Sequence, residues 1–122
     1  MRILAGIYKS KKIETINNAD TRPMMSKVRE AIFNSIQFMV EEKDVLDLYS
    51  GSGSLGIEAL SRGANYVTFV ELSKECILIL KKNVENMSSN LSIVNSPVKS
   101  FIQNSINKYD LIFYDPPFEL DA

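Results

Sequence analysis

The chain has 122 residues, 45% of them hydrophobic and 24% charged, with one cysteine, no histidine and a formal net charge of −1. That describes one α/β-sized domain able to bury a core. It excludes an internal disulfide, a cysteine-cluster or His-Glu-x-x-His metal site, a Ser-His-Asp triad and an imidazole base. No apolar run reaches the ~18–20 residues of a membrane span, and Met1-Arg2-Ile3-Leu4-Ala5-Gly6 turns polar too soon for a signal peptide. The expected setting is cytoplasmic, with no membrane and no metal.

In chain order, Arg2–Tyr8 and Lys12–Ile16 predict a β-hairpin joined by Lys9-Ser10-Lys11, followed by a turn at Asn17-Asn18-Ala19-Asp20. Beyond Pro23, Val28, Ile32, Ile36 and Met39/Val40 recur at helical spacing and predict an amphipathic helix over 26–40. Val45–Tyr49 reads as a strand, and Ser54 to Arg62 as a helix stopped by Gly63. Tyr66–Glu71 is a second strand. Ser73 caps a helix running to Asn86, with Ile77, Leu80 and Val84 inward and Cys76 as a buried thiol. Ser92–Val94 is a third strand, Val98–Asn104 a helix, and Asp110–Tyr114 the fourth strand. Alternating strands and helices imply right-handed crossovers and a mostly parallel sheet. We read residues 1–122 as a single domain, with 1–25 a basic arm and 26–122 the core.

Charge divides the same way. Residues 1–30 carry seven basic residues (Arg2, Lys9, Lys11, Lys12, Arg22, Lys27 and Arg29) against Glu14, Asp20 and Glu30, while the remainder carries 7 basic and 12 acidic residues. A basic arm on an acidic body suits a phosphate-bearing partner. A merely solvated face fits the charge equally well.

Two motifs carry chemistry. Gly51-Ser52-Gly53-Ser54-Leu55-Gly56 sits between the first strand and the next helix, where glycines allow a tight turn and close approach by a ligand. Glu71, 20 residues after Gly51, ends the next strand, where it is placed to hold two ribose hydroxyls. Alone, this pattern fits any nucleotide cofactor. Asp47, inside the strand, favours S-adenosylmethionine: it can orient the cationic methionyl end, whereas a pyrophosphate gains nothing from a nearby carboxylate. The second motif is Asp115-Pro116-Pro117-Phe118, at the end of the fourth strand and beside the first at the sheet's switch point. An acid, a backbone carbonyl and a ring facing one space suit a planar base with an exocyclic amine. The plain alternative is a glycine loop and a strand end that merely turn.

The segments Met1-Arg2-Ile3-Leu4-Ala5-Gly6, Thr21-Arg22-Pro23, Val28-Arg29-Glu30-Ala31-Ile32-Phe33-Asn34, Asp47–Gly53, Gly56–Ala64 and Asp115–Phe118 resemble the bacterial 16S ribosomal RNA guanine-N2 methyltransferases of the RsmD type. The glycine loop and Asp-Pro-Pro-Phe are common to many methyltransferases; the Thr-Arg-Pro and Val-Arg-Glu-Ala-Ile-Phe-Asn segments are more particular to this family. The resemblance implies a Rossmann-like class I methyltransferase fold with strand order 3-2-1-4. It implies S-adenosylmethionine as cofactor and a guanine N2 amine of 16S rRNA or the small ribosomal subunit as methyl acceptor.

By this resemblance Asp47, Tyr49, Gly51, Gly53, Glu71 and Leu72 hold the cofactor. Phe118 stacks on the guanine, Asp115 and the Pro116 carbonyl accept the amine hydrogens, and Pro117 completes the turn. Arg2, Lys9, Lys11, Lys12, Arg22 and Arg29 track rRNA phosphates, with a solvated hairpin equally open for the three lysines. Where the family offers an acidic or amide side chain to adenine, Pro97 stands here, so Asn95 and Ser96 are the candidates. The family also continues through a further helix and three strands. The expected consequence is a chain that is a fragment, a truncated reading frame or half of a complex whose partner supplies the remaining strands, with a strand-4 edge open to association. Other readings are an amino-methyltransferase acting on DNA adenine or other RNA, and a non-catalytic cofactor- or RNA-binding remnant. A nicotinamide-dependent dehydrogenase is disfavoured by Asp47 and the Pro-Pro turn.

Overall fold

The β-branched and aromatic runs of the sequence form one parallel sheet in the computed structural model, which describes residues 1–16 and 26–117. The elements are α1 (Ser26–Ser35), β1 (Asp44–Leu48), α2 (Ser54–Ser61), β2 (Tyr66–Glu71), α3 (Lys74–Val84), β3 (Leu91–Asn95), α4 (Val98–Asn104) and β4 (Leu111–Tyr114). The strands lie in the order β3-β2-β1-β4, as expected. Val45 and Asp47 of β1 face α1, α2 and α3, while Leu46 and Leu48 face α4, because successive strand residues alternate sides. The first side holds the larger core, with Phe33, Val45, Ile57, Val67, Phe69, Leu80 and Phe113. The second is thinner and rests on Leu46, Leu48, Val70 and Val98. Cys76 is buried in α3, whose first turn is capped by Ser73 accepting from the Cys76 N–H. No helix among the described residues is long and apolar enough to cross a membrane.

One expectation is met in a shorter form and one needs correction. The hairpin of residues 1–16 is short: the antiparallel Arg2–Lys12 bridge is flanked by the Ile3 N–H donating to the Lys11 carbonyl, the Ser10 N–H to the Ile3 carbonyl and the Ile13 N–H to the Met1 carbonyl. Beyond Ile3, the backbone of Leu4, Ala5, Ile7 and Tyr8 bonds to α2, through Glu58 and Ser61. The first helix stops at Ser35 rather than continuing to 40. Ile32 and Ile36 pack against the core as expected, but the fully buried positions of the helix are Arg29 and Phe33, while Val28 is 48% exposed. The cause is Glu58, buried on α2, which draws the Arg29 guanidinium inward.

β4 has a strand neighbour on one side only among the described residues. Ile112 and Tyr114 are 54% and 62% exposed there.

Candidate functional site

The C-terminal ends of β1, β2 and β4 meet where the strand order reverses, the usual ligand crevice of an open α/β sheet. The loop after β1 bends through left-handed backbone at Tyr49 (φ 57°), Gly51 (φ 57°) and Gly53 (φ 92°). At Gly53 a side chain is also excluded by packing, since a Cβ would lie 2.3 Å from Leu80 Cδ1. Gly56 needs its hydrogen for a different reason: a Cβ there would meet Phe69 Cε1 at 2.3 Å and Asp47 Oδ2 at 2.9 Å. The third glycine of the motif thus lets α2 sit directly on β1 and β2.

Three carboxylates surround this loop. Asp47 is buried, and its Oδ2 accepts from the Gly56 N–H at 3.0 Å. Burial pushes its carboxyl up to about 7; the Gly56 bond opposes this, while the Asp115 and Glu71 charges add to it. Glu71 braces the loop, Oε1 accepting from the Gly51 N–H at 2.7 Å and Oε2 from the Ser73 N–H at 2.8 Å. Asp115 follows β4, and partial desolvation raises its carboxyl above the usual range. Tyr49 meets Tyr114 edge-on, 5.5 Å between ring centroids, and desolvation followed by the Tyr114 contact raises the Tyr49 hydroxyl.

The other expected residues divide clearly. Leu72 is 63% exposed beside Glu71. Asn95 donates from Nδ2 to the Glu71 and Leu72 carbonyls (3.0 and 2.9 Å), tying the ends of β2 and β3 together. Ser96 gives its N–H to the Glu71 carbonyl and its hydroxyl to the Pro97 carbonyl. Pro116 and Pro117 are half-buried beyond β4. Phe118 and Arg22 lie outside the described residues. Arg2, Lys9 and Lys12 are exposed and Lys11 is half-buried.

Arg29 is a correction. Its side chain is fully buried, 3.9 Å from Glu58 and bonded to the Arg2 carbonyl, so it has no surface to offer a phosphate. Burial lowers its pKa, and the Glu58 charge works against that.

Sequence reasoning missed three polar residues. Glu58 accepts from Leu4, Ala5 and Arg62. Asn83 reaches the glycine loop at the Ser52 carbonyl. The Ser50 hydroxyl, buried under that loop, has no partner among the described residues. Glu58 alone carried a signal: α2 is apolar on every side, so an acid within it had to be buried and paired.

This fold is that of Rossmann-like methyltransferases. "Putative methyltransferase yhhF" of Escherichia coli superposes with a TM-score of 0.88 at 32% identity, over 98% of this chain and 65% of that one. SMU.776, a "putative methyltransferase complexed with SAH", matches at a TM-score of 0.64 and 25% identity, over 74% of this chain and 24% of its own. In sequence, the ribosomal RNA small subunit methyltransferase D of Haemophilus influenzae is 36% identical over 99% of this chain and 65% of its own length. The chain belongs to the family described as Conserved hypothetical protein 95, whose profile matches residues 1–122. It spans somewhat under two-thirds of the length of the first of these curated relatives.

Proposed function

We propose that the chain carries the catalytic core of a methyltransferase that uses S-adenosylmethionine to methylate the exocyclic N2 amine of a guanine in small-subunit ribosomal RNA, in the cytoplasm. The observation that carries this reading is the convergence of Asp47, Glu71 and Asp115 on one glycine loop. A carboxylate whose pKa is raised chiefly by burial, and further by two like charges beside it, is an anion short of compensation, and a cationic ligand supplies it. The residues therefore fit S-adenosylmethionine, which supplies a methyl group on a positively charged sulfur.

In this reading Asp47 orients the methionyl end. The Glu71 oxygens, fixed by the Gly51 and Ser73 amides, take the ribose hydroxyls on their remaining lone pairs. Leu72 covers the adenine, and Asn95 and Ser96 face its polar edge. Tyr49 lines the crevice. Asp115 and the Pro116 carbonyl accept the two amine hydrogens, Pro117 holds the turn, and Phe118 stacks on the base. These bonds draw the nitrogen lone pair out of conjugation and aim it at the methyl. Catalysis is then largely positioning, which suits a chain without histidine. The amine proton leaves to Asp115 or water as the new N–C bond forms. Arg2, Lys9, Lys11, Lys12 and Arg22 contact rRNA phosphates.

Calorimetric titration with S-adenosylmethionine tests the cofactor half. Glu71→Ala is expected to weaken binding about a hundredfold, because it removes the ribose acceptor and unpairs two loop amides. For the native chain, affinity is expected to rise about tenfold per unit as pH climbs towards 7 and then to level off, since the cation favours ionised Asp47. The free protein follows the opposite sign: a native pKa above the unfolded value near 3.9 means stability falls as pH rises from about 4 through about 7. Affinity flat between pH 6 and 8 would remove Asp47 from the site. Methyl transfer to under-methylated small subunits, with N2-methylguanine as product, tests the substrate half; transfer only to DNA adenine would overturn it.

The open edge of β4 is, on the same reading, a surface for association with another strand. Ile112→Lys is expected to shift the chain to smaller species in sedimentation, because a charge on an edge strand opposes pairing. A native chain that is monomeric at every concentration would count against it.

A further inference from the structure

We propose that Asn83 is a positioning residue that couples nucleic-acid engagement by the N-terminal arm to cofactor binding by the glycine loop; this rests on the reading above. Asn83 lies in the last turn of α3 and is 6% exposed. Its Oδ1 accepts from the Glu14 N–H at 2.9 Å. Its Nδ2 donates to the Glu14 carbonyl at 2.9 Å and to the Ser52 carbonyl at 3.0 Å. Both hydrogens and the acceptor of one amide are thus divided between two segments far apart in sequence.

One segment is the basic arm. Glu14 lies two residues after Lys12, between buried Ile13 and Ile16. The other is the turn between Gly51 and Gly53, which has left-handed backbone on both sides of Ser52. The loop is pressed onto α3 at a second point, where Leu80 occupies the space a Gly53 side chain would need. The arm has two further holds here: Lys82 of α3 pairs with the Glu14 carboxylate at 3.0 Å, and just beyond α3 the Ser88 N–H donates to the Tyr8 hydroxyl at 2.8 Å.

The consequence is directional. Phosphates held on Lys11 and Lys12 keep Glu14 docked, Glu14 keeps the Asn83 amide in place, and the amide keeps Ser52 and its glycines in the shape a cofactor needs. Part of the cost of ordering the loop is then met before the cofactor arrives, which gives positive coupling without a large structural change. Linkage requires the effect to be reciprocal, so cofactor should tighten RNA binding by the same factor.

The test is the affinity of S-adenosylhomocysteine, which cannot be turned over, with and without small subunits reconstituted on unmodified 16S rRNA. The native chain is expected to bind it about fivefold or more tightly in their presence. Asn83→Asp keeps the shape and the acceptor for the Glu14 N–H but loses both donors. It is expected to bind subunits while leaving S-adenosylhomocysteine affinity within about twofold of its subunit-free value. Equal coupling in native and variant, or none in a native chain that binds both ligands, would overturn the proposal. A native chain that binds the cofactor product but no subunits would instead overturn the RNA reading on which it rests. Should the variant not fold, hydrogen exchange on the native chain decides: slower exchange at residues 50–56 when subunits are added supports the coupling, and unchanged exchange refutes it.

Discussion

Glu58→Ala is expected to cost about 3–5 kcal/mol, a large part of the ~5–15 kcal/mol that stabilises a domain of this kind. The carboxylate is fully buried. It accepts from the Leu4 and Ala5 N–H groups at 2.9 and 3.1 Å and from Arg62 Nε at 2.8 Å, and it lies 3.9 Å from Arg29 Nε. Truncation leaves a buried guanidinium without its counter-charge and two backbone donors without an acceptor. It also removes one of the holds on the arm, whose turn at Gly6 fits so closely that a Cβ would lie 1.9 Å from the Ser61 carbonyl oxygen. The melting temperature should fall by about 10 °C or more. Glu58→Gln keeps an acceptor and should lose less. Exposed Glu85 provides the control: if Glu58→Ala melts no earlier than Glu85→Ala, the buried ion pair is not what holds the arm.

Asp115→Ala is expected to lower turnover by about a hundredfold or more while changing S-adenosylmethionine affinity by less than about threefold. The split follows from the proposed role: the carboxylate meets the base amine, not the cofactor. A small affinity change has a predictable sign. The Asp115 charge contributes to raising the Asp47 carboxyl, so its removal favours ionised Asp47 and slightly tighter cofactor binding near neutral pH. Asp115→Asn separates hydrogen-bond acceptance from proton abstraction. An amide oxygen can still accept from the amine, so this variant should keep more activity than the alanine. Equal collapse in both would mean that Asp115 acts as a base. Single-turnover rates with saturating cofactor give the comparison directly.

The sheet was legible because its strands are short apolar runs closed by glycine, acid or proline, and four such runs alternating with helices leave few arrangements. The acids Asp47, Glu71 and Asp115 stood out as candidates for a related reason, since an acid within an apolar strand or closing one has no ordinary core role. Arg29 was not. Its spacing to Phe33 marks one helix face, but a guanidinium is normally read as outward-facing, and the partner that reverses this lies on another helix 29 residues away. The arm was legible in part. Its alternation is real, Ile3 and Ile13 are buried, and the two runs exchange backbone bonds, but the ladder is short because residues 4–8 bond to Glu58 and Ser61 of α2, which the arm's own sequence does not announce. Asn83 gave no local signal at all, because a polar residue near a helix C-terminus is ordinary until the fold brings Glu14 and Ser52 to it.

The burial of Cys76 has a practical consequence. It is the sole cysteine in the sequence and 1% exposed, on the same helix that bears Leu80 and Asn83. A thiol reagent therefore has one target, reached only when α3 lifts from the sheet. The rate of labelling, compared with that of the denatured chain, becomes a clock for that opening. Ligands that fasten the loop to α3 should slow the clock, and so report on their own binding without any added probe.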